Sequence, residues 1–94
     1  MCAWLASGLR RDLCIAVAGL DAPTDRELKR EIELRRDERI RPKTFYGAID
    51  ALEKDGYLER EIEGVHDRFS LTSAGDAALR EQYEWFSGHL GADE

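Results

Sequence analysis

Pro42-Lys43-Thr44-Phe45-Tyr46-Gly47-Ala48-Ile49-Asp50-Ala51-Leu52-Glu53-Lys54-Asp55-Gly56-Tyr57-Leu58 contains the change of period that decides the fold. Phe45, Ile49 and Leu52 recur at helical spacing. Pro42 suits the first helical turn, where its missing N–H costs little, and Gly56 suits a left-handed stop. The pattern predicts a helix over about 42–55, with Arg41 just ahead of it and Lys43, Thr44, Tyr46, Gly47 and Asp50 off its apolar stripe. Beyond Gly56 the period falls to two. Leu58 and Ile62 alternate with Glu59 and Glu61, and Phe69 and Leu71 alternate with Arg68 and Ser70, which predicts two strands and a hairpin, with Phe69 and Leu71 in the core. Residues 63–67 join them through Gly64, the glycine a tight turn wants.

Upstream, Thr24 and Glu27 form a capping-box pair, so a helix starts at about Asp25 and buries a narrow stripe of Leu28 and Ile32. An earlier helix follows Ser7: Leu9, Leu13, Ala16, Val17 and Leu20 share one face, and Gly19 with Pro23 closes it. Downstream, Thr72 caps a last helix over about 72–90, in which Leu79, Tyr83, Phe86 and Leu90 fall at 4-3-4 spacing. Such a stripe lines a core or forms the seam between two subunits. Trp4 and Leu5, in an apolar opening pentapeptide, and Trp85, beside the stripe, favour the seam. The expectation is a two-fold homodimer burying the last helix of each subunit.

The 94 residues carry 14 Lys+Arg and 20 Asp+Glu, a formal charge of -6, but the charge is polarised. Residues 26–43 hold eight basic groups and five acidic ones, a net +3, and the remainder holds six basic and fifteen acidic groups, a net -9. Eleven of the basic residues are arginine, whose planar fork suits phosphate and guanine edges. Charge alone leaves two roles open: a solvated face laced with i,i+4 pairs such as Glu31 to Arg35, or a surface facing phosphates.

Two helices, a turn, a third helix, a hairpin and a closing helix give a mainly α fold with a small β-hairpin: the order of a winged helix-turn-helix domain. Residues 39–58 resemble the third helix and following strand of PadR-like transcriptional regulators, in which the helix ends in a Leu-x-x-x-Gly-Tyr/Leu pattern, here Leu52 to Tyr57. Leu71-Thr72-Ser73-Ala74-Gly75 is similar to the Leu-Thr-x-x-Gly step leading from the wing into their last helix. The arginine-rich, lysine-poor acidity and the opening Ser7-Gly8-Leu9-Arg10-Arg11-Asp12 look most similar to haloarchaeal members. The resemblance spans residues 7–90, with 1–6 as an arm and 91–94 as a tail. It implies a homodimeric regulator of double-stranded DNA, more often a repressor, whose terminal helix makes the dimer. The acidity also suits a protein kept soluble in concentrated salt, which screens acidic surface from phosphate.

In such a domain the third helix enters the major groove, and its first exposed side chains reach bases or flanking phosphates. Arg41, Lys43, Thr44, Tyr46 and Gly47 hold those positions, with Arg41 the base-contacting candidate and Gly47 allowing close backbone approach. Tyr46 suits packing as well as DNA contact. Arg26, Lys29, Arg30, Arg35, Arg36 and Arg39 would position the module on phosphates. His66, Arg60 and Arg68 are placed to reach the minor groove from the wing, against opposition from Glu63 and Asp67. Asp50 is out of place on such a face: it lies one turn too far along, reads a cytosine amino group, or pairs with an arginine.

Other functions are disfavoured. No apolar run reaches the roughly 20 residues of a membrane span, and the opening lacks a signal peptide's basic segment, so a cytoplasmic protein is expected. Cys2 and Cys14 lack metal-ligand spacing, and Cys14 reads as a small buried apolar residue. Neither His66 nor His89 has a nucleophile or metal partner, so neither an enzyme nor a cofactor is expected. A winged-helix module that binds proteins without touching DNA is the competing role, and any small-molecule effector is unspecified.

Overall fold

The computed structural model describes residues 8–91; Cys2, Trp4, Leu5, Ser7 and residues 92–94 lie outside them. In chain order the described residues form α1 (Gly8–Gly19), α2 (Asp25–Arg36), α3 (Pro42–Lys54), β1 (Leu58–Glu63), β2 (His66–Leu71) and α4 (Ser73–Leu90). This is the mainly helical, hairpin-bearing order expected. Leu13, Cys14 and Val17 of α1, Leu28 and Ile32 of α2, and Phe45, Ile49 and Leu52 of α3 meet Leu58, Phe69 and Ala78 in one core.

Local chemistry sets the helix starts. The Thr24 hydroxyl accepts from the Glu27 amide at 3.2 Å, and the Glu27 carboxylate accepts from the Thr24 amide at 3.0 Å. Two donors that the first turn would strand are satisfied reciprocally. α2 ends at Asp37, which takes a left-handed φ of 56°. The turn into α3 is pinned by Glu33, which accepts from the Ile40 amide at 2.9 Å and from Lys29 Nζ at 3.1 Å. Those two contacts, the amide first, hold the Glu33 carboxyl below its ordinary pKa.

The hairpin is antiparallel, pairing Leu58 with Leu71, Arg60 with Phe69 and Glu63 with His66. Its turn is shorter than the expected 63–67 segment: the strands run to Glu63 and from His66, leaving Gly64 and Val65. Gly64 takes φ 65° and Val65 stays at negative φ, as a type II′ turn requires. Ile62, which alternates with Glu59 and Glu61, does not join the core. It is 76% exposed, because the wing runs past the end of the body and alternation assigns a face without supplying a neighbour.

A short connection supports the wing from the other side. Pro23 O accepts from the Phe69 amide at 3.0 Å, Thr24 bridges Arg68, and Arg68 Nη1 donates to Ala22 O at 2.8 Å. Ala22 has φ 49°, a left-handed conformation costing an alanine roughly 1 kcal/mol, which these contacts hold in place.

α4 is fastened at its first turn. The Thr72 hydroxyl donates to Gly56 O at 2.6 Å and accepts from the Gly75 amide at 3.0 Å, while the Thr72 amide donates to Tyr57 O at 3.1 Å. Gly75 is buried against that Tyr57 carbonyl, with no room for a Cβ. Cys14 is fully buried in α1, and burial pushes its thiol up to about 12, so almost no thiolate exists at neutral pH. No helix among the described residues is long and apolar enough to cross a membrane.

Candidate nucleic-acid interface

α3 buries Phe45, Ile49 and Leu52 and turns the opposite stripe outward. At 100° per residue Lys43, Tyr46, Gly47, Asp50 and Lys54 fall together on that stripe, with Thr44 beside it, and all are exposed. Lys54 is not among the candidates expected, although its spacing from Lys43 and Gly47 places it on the same stripe. The α3 N-terminus also differs from two others: α2 and α4 are capped by threonine side chains, whereas Arg41, at the N-cap of α3, makes no side-chain cap bond. The first-turn amides of α3 and the positive end of its dipole therefore face outward beside Arg41 and Lys43. An anion is favoured there.

Tyr46 joins this face to α2. Its hydroxyl donates to Asp25 Oδ2 at 2.7 Å, and that bond, with partial burial, raises the phenol's pKa. The ring also packs edge-on against Phe45, with centroids 5.1 Å apart. Arg26, next to Asp25, and Arg30, one turn on, are exposed, and Arg30 also lines a shallow depression with Leu20, Asp21 and Leu34. Arg26, Arg30, Arg35, Arg41 and Lys43 make no ion pair among the described residues. Arg39 is exposed and near enough to Glu33 to help lower its pKa.

Other candidate cations have protein partners. Lys29 pairs with Glu33 at 3.1 Å, and Arg36 pairs with Asp12 at 2.9 Å and Glu38 at 3.3 Å. On the wing, Arg68 Nε lies 2.6 Å from Glu63 Oε1, which raises the guanidinium pKa, while its Nη1 is spent on Ala22 O. His66 stays exposed at the start of β2. Asp50 pairs with an arginine, the last of the three alternatives: Arg60 Nη2 lies 3.3 Å from its Oδ1. Among the described residues no group of His, Cys, Asp or Glu is arranged to hold a metal ion.

A second exposed surface lies on α4. Leu79 packs partly against the core, but Tyr83 is 70%, Trp85 51%, Phe86 56% and Leu90 66% exposed. The buried positions of α4, Gly75 and Ala78, both lie in its first two turns, so the apolar stripe beyond Leu79 stays more than half exposed.

No protein-family model and no curated protein matches the chain. Solved structures do. RosR of H. salinarum superposes with TM-score 0.85 at 22% identity, over 94% of this chain and 80% of its own. F93 from STIV, a winged-helix DNA-binding protein, gives TM-score 0.71 at 24% identity, over 82% of this chain and 85% of its own. A PadR-like transcription factor from Bacteroides fragilis gives 0.68 at 18%, over 94% and 93%. The element order, the hairpin and these superpositions identify the fold of this chain as the winged helix.

Proposed function

We propose that this protein is a sequence-specific DNA-binding transcriptional regulator that acts as a homodimer, placing α3 in the major groove. The observation that carries this is the outward stripe of α3, where Lys43, Thr44, Tyr46 and Gly47 follow an uncapped helix start at Arg41. Arg41 reads a base edge, Lys43 and Thr44 bind phosphate or base at the helix start, and Arg26, Arg30 and Arg39 hold the backbone. The likeness to F93 and to a PadR-like factor supports the assignment, and repression is the mode drawn from the PadR resemblance. The exposed α4 stripe supports the dimer; Trp4 and Leu5, outside the described residues, are further contacts expected from the sequence alone.

A mobility-shift titration over a range of salt tests the α3 assignment. Arg41→Ala is expected to cost about 1–3 kcal/mol against the cognate site and to relax specificity at one base pair. Lys43→Ala is expected to weaken all sequences alike and to reduce the salt slope by about 1. Gly47→Ala separates fold from function. Nothing lies within 4 Å of a Cβ there, so alanine should raise stability by about 0.5–1 kcal/mol through helix propensity while weakening DNA binding by blocking backbone approach. Wild-type protein that never exceeds a nonspecific control would leave the fold serving protein contacts instead.

A further inference from the structure

We propose that Arg60 is a positioning residue for the α3 reading face, compensating the carboxylates at the foot of the wing so that DNA phosphates can approach. This rests on the DNA-binding role proposed for α3. Asp50 stands on the exposed stripe of that helix, one turn beyond Tyr46 and Gly47, with its side chain 70% exposed. Glu53 lies further along α3 and Asp67 faces them from β2. Three carboxylates so close to a phosphate surface would repel it.

The guanidinium of Arg60 reaches all three. Nη2 and Nε donate to the two oxygens of Glu53 at 2.7 and 3.2 Å, a two-bond fork. Nη1 donates to Asp67 Oδ2 at 2.9 Å, and Nη2 also reaches Asp50 Oδ1 at 3.3 Å. Beneath it lies the ring of Phe69, its cross-strand partner, with Cζ 5.2 Å from the centroid. These contacts, Glu53 first, raise the Arg60 pKa against the cost of partial burial. The plane is fixed by strand pairing on one side and by α3 on the other, so one arginine both joins wing to helix and partly offsets Asp50. Without it a cluster of net charge -2 becomes -3, within a Debye length of the bound duplex.

The test uses the full chain and a duplex that wild type binds. Arg60→Met keeps an apolar stem on Phe69 and removes the charge. Its affinity should fall about tenfold near 0.1 M salt, and the deficit should shrink as salt rises. Adding Asp50→Asn and Glu53→Gln should restore affinity to within about threefold of wild type, which a role limited to bracing the wing would not do. An Arg60→Met protein that binds as wild type does, or a deficit that the neutral side chains fail to rescue, overturns the proposal. Asp50→Asn alone, which leaves the fold intact, should raise affinity by no more than about threefold, because that carboxylate is exposed and Arg60 already offsets part of its field. A tenfold gain from Asp50→Asn would show that Asp50 repels phosphate in the native protein and would overturn the proposal even if Arg60→Met fails to fold. If wild type binds no duplex, the DNA-binding role falls and this proposal with it. Wild-type binding with indifferent Arg60 variants removes this proposal alone.

Discussion

Phe86→Glu is expected to halve the mass in solution and to lower affinity for an inverted-repeat duplex by about 10²- to 10⁴-fold, with the monomer's fold intact. Phe86 is 56% exposed, in the part of α4 that has left the core, so a carboxylate there stays hydrated in the monomer. Surface changes of that kind shift stability by about 0.5 kcal/mol or less. In a two-fold dimer the same side chain meets its symmetry mate or an apolar neighbour, and two unpaired carboxylates must lose water together. DNA affinity falls with the dimer because the second recognition helix is no longer delivered at high local concentration. Light scattering at micromolar concentration and a duplex titration read the two effects separately. Wild-type protein that is already a monomer, or a Phe86→Glu protein that stays dimeric, would rule out the α4 seam.

Gly75→Ala should destabilise the domain by about 3 kcal/mol, the upper part of the range for overpacking. A Cβ at residue 75 would collide with the Tyr57 carbonyl oxygen and press on Leu71 Cδ2 at 3.3 Å. The carbonyl cannot swing aside cheaply, because it accepts from the Thr72 amide at 3.1 Å and lies where α3 gives way to β1. α4 would have to lift from the body, uncovering Ala78 and the partly buried Leu71 and Leu79. Gly88 is the control within the same helix: a Cβ there would have nothing within 4 Å, and alanine should stabilise by about 0.5–1 kcal/mol. Urea unfolding of the pair measures the contrast, and equal stabilities would remove the close approach of α4 to Tyr57 from the account of the fold.

The elements legible in advance rest on partners close in the chain. Thr24 and Glu27 are three residues apart, as are Thr72 and Gly75, and helix geometry brings them together whatever the rest of the molecule does. The outward stripe of α3 is legible for the same reason, since Phe45, Ile49 and Leu52 define the inner face and leave Lys43, Tyr46, Gly47 and Asp50 on the other. Charged residues are different. Arg26 and Arg36 look alike in the sequence, yet Arg36 is held by Asp12, 24 positions away, while Arg26 makes no ion pair among the described residues. Arg68 reads as a wing contact, but its guanidinium is tied to Ala22, 46 positions earlier.

Periodicity and capping act over a single turn or strand, so the residues alone dictate the order of elements, their caps and the faces that α1, α2 and α3 bury. Which arginines are spent inside the protein, why residue 75 must be glycine, and how far the wing extends beyond the core to leave Ile62 in water emerge only on packing. The difference lies in the range of the interactions. Hydrogen bonds within a turn follow from local dihedral angles, whereas an ion pair or a backbone contact between distant elements exists only once helices and strands have packed at a particular angle.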